Sequence, residues 1–243
     1  MRNYLSFGAG VNSVALYLLM EKMGIEFEAI FVDHGADNPE TYEYLSYFVG
    51  TGRAITTLYP ARNVRATGKT YQNLFDFSWD KEMVPSMRRR WCTADFKIAP
   101  IEKYIETPCF MHLGIDAGEA KRAKMNSTKG VESRWLLIEN DIDRDGCKEI
   151  ILSAGLEIPP KSGCFFCPYQ RKKQWKELRR NHPDLFCKAQ NLELRNMEAQ
   201  IRKGKKPYSL RGDGVTLDKI INDKAAALPG MESMEYPPCQ CGL

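Results

Sequence analysis

Several features of membrane, exported and common nucleotide-binding proteins are missing from this chain. No apolar run approaches the roughly 18 residues that a membrane-spanning helix needs. The first residues lead into strand-like sequence without a charged leader and cleavage site. The patterns G-x-x-x-x-G-K-[ST] and G-x-G-x-x-G are both absent, which excludes the Walker loop and the usual dinucleotide fingerprint. We therefore expect a globular cytoplasmic protein with no membrane partner.

The charge of the chain is nearly balanced but unevenly placed. Its 243 residues carry a formal net charge of only +4. Basic residues are concentrated at Arg88–Arg90 and over residues 161–206. Such an excess suits a polyanionic partner, either the phosphates of a nucleotide or a nucleic acid backbone. The simpler alternative is a solvated helix face.

Apolar strands alternate with helix-like segments through the first half of the chain. We predict strands at residues 4–7, 27–32, 54–59 and 109–115, and helices at residues 12–23, 39–49 and 141–154. Polar residues 62–70 are predicted to be a loop, and residues 71–91 an irregular or short helical segment. This order predicts an α/β fold with a mostly parallel, doubly wound sheet, followed by a helical lobe formed by residues 174–180 and 185–202. In such a sheet the ligand lies at the carboxyl ends of the strands.

Residues 6–13, Ser-Phe-Gly-Ala-Gly-Val-Asn-Ser, join the first strand to the first helix. Glycines in such a turn let the backbone approach a ligand closely. The amides and dipole of the helix N-terminus favour an anion. The turn is therefore a candidate phosphate site, with an ordinary tight turn as the alternative.

The next strand ends in Val-Asp-His-Gly at residues 32–35 and is followed by Asn-Pro-Glu-Thr at residues 38–41. This order resembles the phosphoadenylyl-sulfate (PAPS) reductase family, in which an Asp-Thr-Gly turn precedes Pro-Glu-Thr. Residues 6–9 are similar to the Ser-Phe-Gly-Ala of sulfonucleotide reductases, whereas residues 12–16 are similar to the Asp-Ser-Val-Ala-Leu of PP-loop ATP pyrophosphatases. Asn12 stands where that second branch has Asp, and Val11 where it commonly has Lys.

The resemblance spans about residues 4–170 and implies an adenine nucleotide alpha-hydrolase-like fold. It also implies where the nucleotide binds. Residues 114–122 are similar to a family turn whose arginines meet phosphates or sulfate; Asp116 replaces the first of them and Arg122 remains in register. A helix pair between Arg122 and Glu119 is the alternative. The predicted nucleotide-binding residues are Ser6, Gly8, Ala9, Gly10, Asn12, Ser13, Asp33, Gly35 and Arg122, with Mg²⁺ if the nucleotide is ATP.

The eight cysteines are grouped in a way that favours metal or redox use. Cys164 and Cys167 form a C-x-x-C turn, and Cys92 lies where family members carry one cysteine or a pair. These three thiolates are the predicted ligands of a [4Fe–4S] cluster. Zinc, or a redox or metal-free pair, is the alternative, and Cys187, Cys239 or Cys241 is the candidate fourth ligand.

The last residues, Cys241-Gly242-Leu243, resemble the core of the C-terminal motif that carries the nucleophilic cysteine of sulfonucleotide reductases. Cys241 is therefore the predicted catalytic residue, and a second thiol such as Cys239 the group that resolves its product. A tail that binds metal or is disordered is the alternative.

We predict a nucleotide-binding domain at residues 1–158, a cysteine-containing helical lobe at 159–230 and a cysteine-bearing tail at 231–243. Three functions are consistent with these features. In the first, the protein is a sulfonucleotide reductase that works with a thiol carrier. In the second, it is a PP-loop enzyme that adenylates a substrate for iron–sulfur-assisted sulfur transfer to nucleic acid, with a sulfur donor protein. The third is a nucleotide-binding module with a structural metal and no turnover.

Overall fold

The computed structural model describes residues 1–87, 90–123, 128–210 and 215–222, which form two compact units. Unit 1 consists of Met1–Gln72 and Thr93–Gly163. Unit 2 consists of Asn73–Cys92 and the described residues from Cys164 onward. Residues 73–92, which the sequence places in the nucleotide-binding domain, thus group with the C-terminal helices. The predicted tail at 231–243 lies outside the described residues.

All described strands belong to unit 1. In chain order they are β1 (Arg2–Ser6), β2 (Glu28–Val32), β3 (Thr56–Leu58), β4 (Arg62–Val64), β5 (Lys69–Tyr71), β6 (Cys109–Leu113) and β7 (Val131–Arg134). Five of them form one sheet in the order β3-β2-β1-β6-β7, and every pair in it is parallel. The predicted mostly parallel α/β sheet is confirmed.

The remaining two strands, β4 and β5, pair with each other as an antiparallel hairpin. The loop predicted for residues 62–70 is therefore wrong. Arg62 pairs with Tyr71 and Val64 with Lys69, so polar side chains occupy most of both strands. Such strands show no alternation of apolar and polar residues, which is the signal by which a half-buried strand is recognised.

The helices are α1 (Val11–Lys22), α2 (Pro39–Gly50), α3 (Leu74–Asp80), α4 (Trp91–Thr93), α5 (Ala99–Tyr104), α6 (Leu136–Glu139), α7 (Arg144–Ser153), α8 (Lys172–Asn181), α9 (Pro183–Arg202) and α10 (Leu217–Asn222). A π-helical segment, Ala94–Ile98, precedes α5, and a 3-10 segment, Ala117–Arg122, follows β6. Within the described ranges, no helix has both the length and the apolarity that crossing a bilayer requires.

Apolar side chains cover both faces of the sheet, as a doubly wound fold requires. Leu5 lies in a cluster that includes Phe48 of α2 and Ile151 of α7. Its neighbour Tyr4 lies in a second cluster with Ile101 of α5. Successive residues of a strand point to opposite faces, so β1 contributes to both clusters and is central to the core of unit 1.

Local sequence explains where the main helices of unit 1 begin. Pro39 occupies the first turn of α2, where its missing amide hydrogen costs nothing. Asp143 caps α7 by accepting hydrogen bonds from the backbone N–H groups of Asp145 and Gly146. The first ten residues of α1, Val11–Met20, are all buried, so this helix is enclosed by protein on every side.

Unit 2 is helical in the described residues and joins α3 to the C-terminal helices. Arg195 of α9 donates from Nε to the carbonyl of Trp79, 3.1 Å away, and its guanidinium lies 4.9 Å from the centre of that ring. Arg202 donates to both carboxylate oxygens of Glu82 at 2.7 Å. Residues 73–92 are therefore held by a helix more than 100 positions later in the chain.

Candidate nucleotide site

The carboxyl edge of the unit 1 sheet has the topology of a ligand site. The chain runs outward from β1 to β2 and β3, and later outward in the other direction from β6 to β7. The strand order therefore reverses between β1 and β6. Ligands of open α/β sheets bind in the crevice at this switch point, which here lies between the loops that follow the two strands.

The turn after β1 lies at this crevice and leads into the N-terminus of α1. Ala9 adopts a left-handed conformation with φ of 51°, which is rare for a residue with a side chain. The Oγ of Ser13 accepts hydrogen bonds from the N–H groups of Gly8 at 3.3 Å and Gly10 at 3.2 Å, and donates to the carbonyl of Gly10 at 3.0 Å. These hydrogen bonds fix the turn at the N-terminus of α1, where the helix dipole favours an anion.

The two glycines of the turn have different surroundings. A Cβ atom built on Gly8 would have no atom within 4 Å, whereas one on Gly10 would lie 2.7 Å from the Oγ of Ser162. Gly8 is thus the open position of the turn and Gly10 the packed one. Ser6, the last residue of β1, is held in register by Ile30 on one side and Leu113 on the other.

The loop after β6 touches the start of α1. A Cβ atom on Gly114 would lie 3.0 Å from the backbone nitrogen of Ser13 and 3.1 Å from the carbonyl carbon of Asn12. Because backbone atoms cannot move aside as a side chain can, only glycine fits here. This contact brings the two loops of the switch point together.

Asn12 belongs to a buried side-chain network. Its Nδ2 donates to Oδ2 of Asp116 at 2.9 Å, and its Oδ1 accepts from Nη1 of Arg144 at 2.7 Å. Asp116 and Asn12 are 2 % and 6 % exposed. The amide thus joins α1, the β6 loop and α7, and both of its polar atoms are used within the protein. The sequence predicts a nucleotide contact for Asn12 and gives no sign of Arg144.

Asp33, at the end of β2, is held by two hydrogen bonds to one carboxylate oxygen. Its Oδ1 accepts from the backbone N–H of Gly35 and from the hydroxyl of Tyr42, each at 2.8 Å. Gly35 has φ of 68°, a conformation that favours glycine. Both predicted residues therefore lie in one turn at the same sheet edge as Gly8–Ser13.

His34 and Asp37 form a buried pair beside this turn, and neither was predicted from the sequence as a site residue. His34 Nε2 lies 3.4 Å from Oδ2 of Asp37, and Lys97 Nζ lies 4.0 Å from Oδ1 of the same carboxylate. Burial lowers the pKa of His34 to about 4, against the opposing effect of Asp37. The imidazole is therefore neutral at pH 7, and Lys97 supplies the positive charge near this carboxylate.

Arg122 lies at the end of the 3-10 segment and pairs with Glu119. Its Nη1 donates to Oε2 of Glu119. Burial raises the pKa of Glu119, and Arg122 opposes that shift. This is the helix pair that the sequence allows as the alternative to an anion contact. Arg122 Nε is buried and has no hydrogen-bond partner among the described residues.

The cysteine turn belongs to unit 2. Cys164 and Cys167 are each 8 % exposed, and the N–H of Cys167 donates to the carbonyl of Cys164 at 3.1 Å. Gln170 Nε2 holds the turn through the carbonyls of Cys164 at 3.0 Å and Phe165 at 2.7 Å. Two buried thiols in a tight turn fit a soft metal centre. Cys92 lies in the same unit on α4 and is half-buried.

The other predicted cysteines divide between core and tail. Cys109 and Cys147 are fully buried, and burial raises the pKa of both thiols, that of Cys147 to about 12. They are core residues, as the sequence predicts. Cys187 is exposed on α9. The predicted catalytic Cys241 and its neighbour Cys239 lie outside the described residues.

Comparison with known proteins finds two archaeal relatives. No protein-family model matches the chain. The chain is 22% identical over 201 residues to the uncharacterized protein MJ0973 of Methanocaldococcus jannaschii. The matched stretch covers 75% of this chain and 45% of the relative. It is 23% identical over 225 residues to the uncharacterized protein MJ0066 of the same organism, covering 82% and 44% respectively. The chain thus spans less than half the length of these two relatives.

Proposed function

We propose that unit 1 binds an adenine nucleotide and that the protein carries out sulfur chemistry on it, in the manner of a PAPS reductase-family enzyme. The observation that carries the binding proposal is the Gly8–Ser13 turn at the switch point of a parallel sheet. An open glycine and a helix N-terminus together suit a phosphate or sulfate group. The adenine identity rests on the sequence resemblance.

In the favoured reaction the nucleotide is a sulfonucleotide and Cys241 is the nucleophile. The Cys241 thiolate attacks the sulfur atom, an S–S bond forms, the S–O bond to the nucleotide breaks, and the nucleoside phosphate leaves with that bonding pair. A second thiol, such as Cys239, then attacks Cys241, releases sulfite and leaves a disulfide. A dithiol carrier protein reduces this disulfide, so that two thiols supply the two electrons.

The thiols of unit 2 fit a metal group in this proposal. Cys164 and Cys167, with Cys92, would hold an iron–sulfur cluster, with zinc as the alternative metal. Both thiols of the pair are buried in aromatic surroundings, where Phe75 lies 5.5 Å from Phe165 and 5.8 Å from Phe166, measured between ring centres. When bound, such a cluster supplies an iron atom that can polarise a substrate group or bind sulfur.

A second candidate function is ATP-dependent activation of nucleic acid for sulfur transfer, and the surface of α8 favours it. Five of its ten residues are basic and one is acidic. Lys173, Lys176, Arg179 and Arg180 are exposed. Phosphate backbones bind such surfaces with an affinity that falls steeply with salt. In this candidate the sheet edge binds ATP with Mg²⁺ and the helix binds the acceptor.

Product analysis separates these functions. We would incubate the protein with PAPS, adenylyl sulfate or ATP in the presence of a dithiol, and measure sulfite and pyrophosphate. The favoured reaction predicts sulfite release that is lost in Cys241→Ser and retained in Cys187→Ser, which alters an exposed cysteine elsewhere. Pyrophosphate from ATP, retained in Cys241→Ser and stimulated by nucleic acid, would establish the second candidate. Tight binding without either product would identify a non-catalytic module, and failure to bind any of the three would overturn the proposal.

A further inference from the structure

Only one of the two carboxylate oxygens of Asp33 accepts hydrogen bonds from the described residues. Its Oδ1 accepts from Gly35 N–H and from Tyr42 Oη–H, while Oδ2 makes no hydrogen bond to any described residue. The side chain is half-buried at the carboxyl edge of the sheet, one strand away from the Gly8–Ser13 turn. A carboxylate held at one oxygen presents the other in a fixed direction, ready to accept a hydrogen bond from a ligand.

Tyr42 is itself oriented as a donor to Asp33. Its ring meets that of Phe31 edge-on, with 6.4 Å between the ring centres. Its hydroxyl donates to Oδ1 of Asp33 at 2.8 Å. Burial, followed by the bond to Asp33, raises the pKa of Tyr42 well above its ordinary value of 10, so the hydroxyl keeps its proton.

The spacing of the strands indicates which part of a nucleotide meets this oxygen. Neighbouring strands lie about 4.8 Å apart, so Asp33 follows the strand next to the phosphate turn. In an adenine nucleotide the ribose comes directly after the α-phosphate, and the base lies beyond it. Acidic residues recognise ribose hydroxyls in the same way at the strand ends of other doubly wound folds.

We propose that Tyr42 is a positioning residue that fixes Asp33, so that the second carboxylate oxygen of Asp33 accepts a hydrogen bond from a ribose hydroxyl. This inference rests on the nucleotide site proposed above and adds a determinant of specificity to it. A hydrogen bond to a charged group typically contributes roughly tenfold or more to an equilibrium constant. We expect a preference of that size for ATP over whichever deoxy analogue lacks the contacted hydroxyl.

The test compares ATP, 2′-deoxyATP, 3′-deoxyATP and inorganic tripolyphosphate by calorimetric titration of the full chain. Asp33→Asn keeps an oxygen for Gly35 and Tyr42 but puts an amide group at the second position. It should abolish the preference for ATP and leave tripolyphosphate binding unchanged. Tyr42→Phe keeps the contact with Phe31 and should reduce the preference roughly threefold or more.

Tyr44→Phe is the matched control, because the Tyr44 hydroxyl donates to the carbonyl of Glu157, 2.7 Å away, and is not bonded to Asp33. It should leave the preference unchanged. Equal affinity of the unaltered protein for all three nucleotides, or an unchanged preference in Tyr42→Phe, would overturn the inference while the nucleotide site stands. A loss of tripolyphosphate binding in Asp33→Asn would also overturn it, because the residue would then support the whole site. If the unaltered protein binds PAPS or adenylyl sulfate but none of these probes, this inference fails while the proposed function stands. If it binds none of these ligands at all, the proposed function fails and this inference fails with it.

Discussion

The first turn of α1 has an open side and a closed side. On the open side, the Oγ of Ser13 accepts hydrogen bonds from the amides of Gly8 and Gly10, and a Cβ atom built on Gly8 would have no atom within 4 Å. On the closed side, one residue away, Asn12 is buried between Asp116 and Arg144. The open side leaves room for a ligand. On the closed side, both polar atoms of the Asn12 amide are used to join α1, the β6 loop and α7. In the proposed function this helix start serves both binding and stability, and the two can be separated by mutation.

Acidification should give the largest effect, because two buried histidines of unit 1, His34 and His112, must take up protons. Burial lowers the pKa of His34 and of His112 from 6.5 to about 4, and Arg134 adds to the shift of His112. The unfolded chain therefore takes up protons first as the pH falls below 6.5. Stability should be full above pH 6.5 and fall as the pH drops towards 4.

At pH 5 the loss should be about 2 kcal/mol for each histidine, relative to pH 7. Urea unfolding across this range measures it. The binding of tripolyphosphate to folded protein, which uses the open side, should change little over the same interval. A free energy of unfolding that stays constant between pH 7 and pH 5 would show that these imidazoles are not buried in their neutral form.

Asn12→Asp should have the next largest effect, because it places a second buried carboxylate against Asp116. We expect the free energy of unfolding at pH 7 to fall by about 3 kcal/mol. The double variant Asn12→Asp/Asp116→Asn restores one carboxylate and one amide, with the carboxylate now beside Arg144. It should recover most of the loss in urea unfolding. If the double variant is as unstable as the single one, charge repulsion is not the cause.

Gly8→Asp tests the open side alone. A Cβ atom at this position would have no atom within 4 Å, so the melting temperature should stay close to that of the unaltered protein. A negative charge in the Gly8–Ser13 turn should weaken ATP binding by about 100-fold relative to the neutral isostere Gly8→Asn. Calorimetry on the two variants measures this ratio. Equal affinities would show that phosphates bind elsewhere.

Asp143→Ala should have the smallest effect of the series, about 1 kcal/mol of unfolding free energy, through loss of the α7 cap. The residue lies next to Arg144, so the change also probes how firmly α7 presents that side chain to Asn12. Asp145→Ala is the control, because the Asp145 side chain forms an exposed pair with Lys148 and its loss should cost less than the loss of the cap. Thermal unfolding of both variants gives the comparison, and equal losses would argue against a cap.

The strand, turn and helix that form the open side could be predicted from the sequence because their signals are local. A short apolar strand, a glycine turn and a helix start lie within residues 4–23, and Asp33 follows the next strand. Parallel topology then places both turns at one edge without any knowledge of packing. The helix α2 was likewise indicated by Pro39 in its first turn, and α8 and α9 by the spacing of their apolar residues.

The closed side could not be predicted, because its partners are far apart in sequence. Asn12 meets residues 104 and 132 positions later, and nothing in a local pattern selects them. The strand β7 was missed for a different reason. Its sequence is Val-Glu-Ser-Arg, and the side chain that alternates with Val131 towards the interior is a serine. A strand with one apolar residue gives too little periodicity to be recognised.

The division of unit 2 into two chain segments has a consequence for synthesis on the ribosome. Residues 73–92 emerge early, but the groups that hold Trp79 and Glu82 belong to Arg195 and Arg202. The described residues of unit 1 have all been made once residue 163 has been added. Domains generally fold as they appear, so we expect the nucleotide site to assemble first while α3 waits for its partners. A nascent chain arrested just after the first unit has emerged should already bind nucleotide.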